Sequence, residues 1–311
     1  MGSHLAEALR ASGDTVTALV RARARGEPLK ALGCRLVEGG IEDEAALDEL
    51  VAGAEVVFHV AGLVAARSER EFVRTNRDGA AAVARASARA GVGRLLLVSS
   101  LAVTGPSRRG HPVDETSGPG PVTAYGRSKL AGEEVARATG VPLTVLRPPA
   151  VYGPRDRAFL TLFRAARRGF APLLGDGAQE LTLVHVADLA RALVAAAASR
   201  ATLGRTYHAG HPEPVTQRGL AEAVGRAVGR KVRCLALPGP LVRGLLGIAG
   251  VVTRAAGRAP LLDRDKANEL LAPAWTCSSE ALRRDAGWSA GIPLEHGLAE
   301  TARRYREAGW L

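Results

Sequence analysis

Three strand-length runs of mostly apolar residues, each followed by helix-forming sequence, constrain the fold of this chain more than any other feature. The runs lie at residues 55–60, 94–99 and 142–146, and Val and Leu dominate them. A strand buried on both faces of a sheet reads as such a run, whereas a strand with one solvated face alternates apolar and polar residues. The pattern therefore predicts a parallel sheet with helices on both faces.

The remaining elements fit the same alternation in the first half of the chain and a looser pattern after Pro149. The first half has predicted strands at residues 15–20 and 35–37 and predicted helices at residues 45–51, 71–90 and 124–139. The second half has predicted helices at residues 159–168, 186–197, 219–228 and 294–307, a strand at residues 181–184 and a largely apolar segment at residues 234–252. Alternating strands and helices are typical of a doubly wound α/β fold.

This order of elements predicts two parts. We expect the doubly wound sheet in residues 1–150, to which residues 181–210 return. Residues 151–180 and 211–311 are expected to form a smaller C-terminal substrate lobe over the sheet. Ligands of doubly wound sheets bind at the carboxyl ends of the strands, so we expect the site where the two parts meet.

Composition and charge exclude several classes of protein. The most apolar stretch, residues 244–253, is shorter than the roughly 20 residues that a membrane-spanning helix needs. Three widely separated cysteines indicate neither a disulfide framework nor a metal site, and the start of the chain lacks the features of a signal peptide, so we expect a cytoplasmic protein. The formal charge of +11 is scattered, without a recognition motif, which favours an anionic small molecule over nucleic acid.

Tyr125 and Lys129 form the sharpest chemical motif of the sequence, YGRSK. Two residues four apart on a helix lie on one face. A phenol with a pKa near 10 is a poor acid–base group at neutral pH, and a neighbouring ammonium is expected to lower that pKa. Lys129 is one of only four lysines in the chain, together with Lys30, Lys231 and Lys266, which makes an accidental occurrence at this spacing less credible.

The motifs around this pair give it a family resemblance. Upstream, the 94–99 run leads into Ser100 of SSLAVTG, and downstream follows LRPPAVYGP. Together with HVAG at residues 59–62, TNRDG around Asn76 and VHVADL at residues 184–189, they follow the order and spacing of the extended short-chain dehydrogenase/reductases. The chain resembles this superfamily, also called the NAD-dependent epimerase/dehydratase family, nearly end to end. The resemblance implies a Rossmann sheet and an NAD(P)-dependent enzyme.

Residue by residue, the resemblance implies a catalytic trio and a cofactor site. Tyr125 would exchange a proton with the substrate, Lys129 would lower its pKa and bind the nicotinamide ribose, and Ser100 would bind the substrate oxygen. The residues implied to border or bind the cofactor are Gly2, Arg21, Ala61, Gly62, Asn76, Ser99, Tyr125, Lys129, Pro148 and Val151. For Ser99, packing in the core is the simpler expectation.

The start of the chain departs from the family pattern. The family opens with a strand and a TGxxGxxG turn, whereas Gly2-Ser3-His4 resembles the segment that begins at the third glycine. The resemblance therefore predicts that roughly a dozen residues, about one strand and a turn, would precede this start. After the second family strand, Arg21 stands where an acidic residue would favour NAD, so NADP is the preferred expectation and NAD the alternative.

Three functions remain open at this point. The apolar residues 235–252, Trp275 and the Gly287-Trp288 pair resemble the dihydroflavonol-reductase and 3β-hydroxysteroid-dehydrogenase branches, which favours interconversion of a secondary alcohol and a ketone. The alternatives are a sugar-nucleotide epimerase or dehydratase, which residues 174–177 resemble, and a non-catalytic dinucleotide-binding sensor. A homodimer through the helices at residues 71–90 and 124–139 is also expected from the family.

Overall fold

The computed structural model describes residues 1–257, 259 and 265–311. Its strands are β1 (Thr17–Val20), β2 (Arg35–Glu38), β3 (Val56–His59), β4 (Arg94–Val98), β5 (Leu143–Arg147), β6 (Ala150–Tyr152), β7 (Phe170–Leu174), β8 (Glu180–Leu181), β9 (Leu183–His185), β10 (Thr206–His208), β11 (Val215–Thr216), β12 (Arg233–Leu237) and β13 (Ala274–Trp275). Its helices are α1 (Gly2–Ala11), α2 (Arg23–Ala31), α3 (Glu44–Val51), α4 (Glu69–Phe72), α5 (Gly79–Arg89), α6 (Ala124–Arg137), α7 (Leu160–Arg167), α8 (Val186–Ala198), α9 (Gln217–Ala227), α10 (Gly239–Ala255), α11 (Lys266–Leu270), α12 (Glu280–Ala286) and α13 (Leu294–Glu307). Within these ranges no helix combines the length and apolar character that crossing a bilayer requires.

The central sheet is parallel and runs in the order β10-β5-β4-β3, with β1 and β2 paired as a separate parallel ribbon. Successive residues of β4 point to opposite faces. Leu96 belongs to a core cluster with Leu5 of α1 and Leu193 of α8, whereas Leu95 belongs to another with Val83 of α5. Helices therefore cover both faces, which confirms the doubly wound α/β architecture predicted from the apolar runs.

The predicted helix at residues 71–90 contains an irregularity. A π-helical turn, Val73–Asp78, joins α4 to α5 and carries Asn76. Its wider i→i+5 hydrogen bonding displaces residues from the regular helical stripe, and such turns are frequent at functional sites. The sequence pattern did not predict this turn, because the apolar spacing around it remains helical.

The second half differs from the sequence prediction in two places. The single strand expected at residues 181–184 is two short strands, β8 and β9, interrupted at Thr182, whose N–H donates to the Trp275 carbonyl at 2.9 Å. The apolar segment at residues 234–252 is a strand, β12, followed by α10. β12 pairs with β7, and β10 returns to the central sheet beside β5.

Candidate active site

Ser100 lies directly beyond the carboxyl end of β4. The chain leaves the sheet at Ser99 and enters a 3₁₀ turn, Leu101–Val103, whose first N–H donates to the Pro148 carbonyl at 2.9 Å. The Ser100 hydroxyl accepts from the Ala102 N–H at 3.1 Å, while the buried Ser99 hydroxyl has no hydrogen-bond partner among the described residues. Ser100 therefore presents a fixed hydroxyl at the edge of the sheet where ligands of this fold bind.

Tyr125 lies in the first turn of α6, where it meets Ser100. Thr123 caps the helix by accepting from the Gly126 N–H, which fixes the start of α6 at this place. The Tyr125 ring lies 6.0 Å from that of Phe72, and its hydroxyl lies near the Ser100 side chain. Burial raises the pKa of Tyr125 to about 12, and the Ser100 side chain opposes this only in part.

The sequence predicts that Lys129 lowers the pKa of Tyr125, whereas in the structure burial outweighs any such effect and the pKa is raised. The Lys129 ammonium donates to the Val98 carbonyl at 3.0 Å, so its charge is directed toward the end of β4. Burial lowers the pKa of Lys129 to about 8, and the nearby Glu133 carboxylate counteracts that effect. Tyr125 is accordingly a neutral phenol at pH 7, able to give a proton, beside a lysine whose charge is easily lost.

Asn76 connects the tyrosine helix to the loop after β3. Its side chain accepts from the Leu63 N–H at 2.8 Å and donates to the Leu63 carbonyl at 3.0 Å. It also donates to the Ser128 hydroxyl at 2.9 Å, and Ser128 in turn donates to the Tyr125 carbonyl at 2.7 Å. Sequence reasoning missed Ser128, although it stands inside the YGRSK motif. The amide of Asn76 thus holds the loop and α6 at a fixed separation.

Gly62 lies against the lysine of the site. A β-carbon at this position would be 2.8 Å from Lys129 Nζ and 3.1 Å from Asn76 Oδ1, closer than van der Waals contact allows. The family resemblance implies that Gly62 lets the protein backbone approach the cofactor. The structure places a second constraint on the same residue, since its missing side chain also leaves room for the ammonium.

A cavity of about 1730 Å³ opens beside this cluster. It is lined by residues of β1 and β3, by Gly2, Arg21, Ala61 and Gly62, and by the loop of residues 39–41 after β2. The volume exceeds the roughly 300–1,000 Å³ of ordinary small-molecule pockets, and the glycines leave backbone exposed along its wall. The lining residues therefore fit an extended ligand such as a dinucleotide.

Pro148 and Val151 lie outside this cavity, as do Asn76, Ser99, Tyr125 and Lys129. Pro148 is buried after β5, and its carbonyl accepts from the start of the 3₁₀ turn that follows Ser100. Val151 is a half-buried residue of β6, opposite Val184 of β9. The structure thus brings Pro148 to the Ser100 segment and holds Val151 in a neighbouring strand pair.

A buried polar network that the sequence did not predict lies next to the site, between the end of β5 and helix α6. Arg147, the last residue of β5, donates to both carboxylate oxygens of Glu133 at 2.9 and 2.7 Å. It also donates to the Thr104 hydroxyl at 3.3 Å, and that hydroxyl lies 3.0 Å from His208 Nε2. Burial and the charge of Arg147 lower the pKa of His208 to about 4, so this histidine is neutral.

Glu133 gives this network a direct link to the site. It follows Lys129 by four residues on α6, so both side chains lie on one face of the helix. Its charge favours the protonated form of Lys129 and so keeps the pKa of that lysine from falling further. The spacing of the two residues could have indicated Glu133 from sequence, but its partner Arg147 could not be identified without the fold.

Comparison with known proteins gives matches along the whole chain. A family model described as the NAD dependent epimerase/dehydratase family matches residues 1–210. A ceramide reductase of Caulobacter vibrioides is 35% identical, with 100% of this chain and 93% of that protein covered. A 4-hydroxy-2-methyl-3-oxo-4-farnesyl-3,4-dihydroquinoline-1-oxide ketoreductase of Stigmatella aurantiaca is 30% identical, with 96% and 91% covered. The solved structure of DesIV, a dTDP-glucose 4,6-dehydratase from Streptomyces venezuelae with NAD and TYD bound, has a TM-score of 0.78 at 26% identity and covers 99% of this chain and 95% of its own.

Proposed function

Because the chain belongs to the NAD-dependent epimerase/dehydratase family and is an NAD(P)-dependent oxidoreductase, we propose that it reduces the ketone of a long-chain, lipid-like substrate to a secondary alcohol. The observation that carries the proposal is the proximity of the Ser100 and Tyr125 hydroxyls at the carboxyl end of β4. Two hydroxyls that meet at one point can both bind a single carbonyl oxygen. A neutral phenol is suited to give that oxygen a proton.

In the proposed reaction the chain binds the carbonyl and supplies the proton. The reduced nicotinamide, when bound, supplies the hydride that adds to the carbonyl carbon. Ser100 holds the carbonyl oxygen by a hydrogen bond, and Tyr125 transfers its hydroxyl proton to that oxygen as the electron pair of the C=O bond moves there. The ammonium of Lys129 stabilises the phenolate that remains on Tyr125, which takes up a proton from solvent before the next turnover.

The protonation state of Tyr125 suits the reduction direction. Reduction needs a protonated residue at this position, whereas oxidation of an alcohol needs a base. With its pKa raised to about 12, Tyr125 starts in the form that reduction requires. The free enzyme is therefore poised for reduction at neutral pH.

The substrate class rests on the relatives. Ceramide is a lipid, and the substrate named for the second relative carries a farnesyl chain. Both proteins match nearly the full length of this chain, including the C-terminal lobe that lies outside the family model. Reduction of a substrate that carries a long apolar chain is the feature that the two names have in common, and the ketone comes from the name of the second.

We also propose NADPH as the preferred cofactor, with NADH as the alternative. Gly2, Ala61, Gly62 and the 39–41 loop would hold the dinucleotide in the cavity, and Asn76, Lys129 and Pro148 would border its nicotinamide end. Arg21 lines the cavity directly after β1 and makes no hydrogen bond or ion pair with the described residues, which leaves its guanidinium for a 2′-phosphate. Within this proposal residues 1–150 and 181–210 form the nucleotide-binding domain, and the enzyme works in the cytoplasm as a homodimer.

The test is turnover with matched variants. Purified protein is incubated with NADPH and a long-chain 3-ketone, and both NADPH oxidation and the alcohol product are measured. Tyr125→Phe should lower kcat about 10²–10⁴-fold while NADPH affinity measured by calorimetry stays unchanged. Tyr207→Phe, which removes a buried hydroxyl far from Ser100, is the control. Equal kcat for Tyr125→Phe and the unmodified protein would disprove the mechanism.

A sugar-nucleotide epimerase or dehydratase remains the second candidate, favoured by the similarity to the NAD-bound DesIV structure. Such an enzyme regenerates its cofactor within each turnover, so it consumes no net NADPH. Conversion of a nucleotide sugar without added reductant would favour this candidate over the reductase.

A further inference from the structure

The helix α10 exposes an apolar stripe. Leu241, Leu245, Ile248 and Val252 are 48–65% exposed, and at about 100° per residue they lie within an arc of about 60° on the helix. Val251, 66% exposed, lies about 60° to one side of this arc. We call these five residues the α10 stripe. They extend along about 16 Å of the helix. They therefore form a continuous apolar surface, unlike the single exposed hydrophobic residues that are common on protein surfaces.

The opposite side of α10 already has its partner. Val242 and Leu246 are buried in a small core cluster with Ala267 of α11, and Leu237 and Leu271 pack against this cluster. The stripe is therefore not the face that attaches α10 to the protein. A helix that is apolar on its outward face as well has a second surface to cover.

The charged residues of the sequence segment that contains α10 indicate what covers the stripe. Arg230, Lys231, Arg233, Arg243 and Arg254 are the only charged residues between positions 227 and 257. A second copy of this segment would bring like charges together, because a two-fold interface places identical patches side by side. An anionic lipid surface instead attracts the basic residues and accepts the apolar ones.

The stripe is also connected to the catalytic helix. α10 packs on α11 through Ala267, and the Asp265 carboxylate just before α11 accepts from the N–H of Ala124 at 2.8 Å. Ala124 is the first residue of α6, next to Tyr125. A surface that binds α10 would therefore lie one helix away from the catalytic tyrosine.

We propose that the α10 stripe docks this enzyme on an anionic membrane surface, from which it takes its substrate. The helix would lie in the plane of the interface, with the stripe among the acyl chains and the basic residues near the headgroups. The proposal rests on the proposed function for its substrate, since a long-chain ketone is dissolved in membranes. Surface docking would hold α10, and through α11 the start of α6, at the membrane where that substrate is concentrated.

The test is co-sedimentation of the full chain with vesicles of known composition. The chain should bind vesicles of phosphatidylcholine containing about one quarter phosphatidylglycerol, and bind less to pure phosphatidylcholine or when NaCl rises from about 0.1 to about 0.5 M. The double variant I248E/V252E should weaken binding about tenfold or more, because it places carboxylates in the acyl layer. Leu203→Glu, at a 40% exposed leucine elsewhere on the surface, should bind like the unmodified protein.

Several outcomes would contradict the docking proposal, and one would count against the proposed function alone. No vesicle binding by the unmodified chain, or equal binding by I248E/V252E, would overturn it. A dimer in analytical ultracentrifugation that the double variant dissociates, without vesicle binding, would assign the stripe to a second copy. Turnover of a short, water-soluble ketone should be the same in all variants. Loss of that turnover in the unmodified chain, with vesicle binding retained, would count against the reductase and not against docking.

Discussion

A β-carbon on Gly62 would lie 2.8 Å from the Nζ atom of Lys129, so the loop after β3 and helix α6 approach as closely as a glycine permits. The same ammonium donates to the Val98 carbonyl at the end of β4. Lys129 is thus confined between a strand end and a loop, and its position depends on the size of residue 62. A change at Gly62 should therefore act on the chemistry through Lys129.

Gly62→Ala should lower turnover while leaving the fold intact. The added methyl meets the end of a flexible lysine side chain, which can move away at small cost, but it then leaves its place beside Tyr125. We expect kcat to fall about 10–100-fold, with a melting temperature within about 2 °C of the unmodified protein. Gly53→Ala, at a loop glycine with open space around it, tests whether a glycine replacement alone has this effect.

Lys129→Met should abolish turnover and stabilise the protein. Burial lowers the pKa of Lys129 from 10.5 to about 8, so below pH 8 the folded chain carries a charge that its surroundings disfavour. Between about pH 8 and 10 the unfolded chain still binds this proton and the folded chain does not, so the free energy of unfolding should rise with pH over this range. The Lys129→Met variant should lack that rise. At pH 7 we expect Lys129→Met to gain about 1–3 kcal/mol in urea unfolding. The exposed Lys30→Met should change neither stability nor kcat, and a destabilised Lys129→Met would contradict this account.

The sequence predicted the parts of this site that depend on local pattern. Strands β3, β4 and β5 and helix α13 were placed to within one or two residues, because buried apolar runs and long amphipathic helices leave clear patterns. Helix α2 was not predicted, since it is strongly polar and contains Pro28. The family assignment and the oxidoreductase function predicted from the motifs are confirmed by the relatives.

What the sequence could not provide are properties that arise only when distant segments meet. The upward shift of the pKa of Tyr125 depends on burial, and the pairing of Glu133 with Arg147 depends on α6 crossing the end of β5. The π-helical turn at Asn76 similarly requires Leu63 and Ser128 as partners. The roles of the individual site residues stay predictions until variants are measured.

Glu133→Gln should shift the pH dependence of turnover toward acid. The Glu133 carboxylate raises the pKa of Lys129, so its removal lets that pKa fall below about 8. If cationic Lys129 supports reduction, kcat of the unmodified enzyme declines above about pH 8, and the decline should begin about one unit lower in the variant. The variant also leaves buried Arg147 with a neutral partner, which should cost about 3 kcal/mol in unfolding free energy. Glu134→Gln, the same change at the exposed neighbour, should alter neither the pH dependence of kcat nor the free energy of unfolding. An unshifted pH profile for Glu133→Gln would mean that the charge of Lys129 does not affect the rate-limiting step.

Arg21→Asp should reverse the choice between the two nicotinamide cofactors. The guanidinium of Arg21 lies in the wall of the cavity directly after β1. There it can pair with the 2′-phosphate of NADPH. A carboxylate at this position would repel that phosphate and accept hydrogen bonds from the ribose hydroxyls of NADH. We expect the ratio of kcat/KM for NADPH to that for NADH to fall about 100-fold, most of it through KM for NADPH. Arg200→Asp makes the same charge change at an exposed 3₁₀ turn and measures the contribution of net charge alone. If both variants shift the ratio equally, the preference arises from the overall positive field of the protein and not from a contact to Arg21.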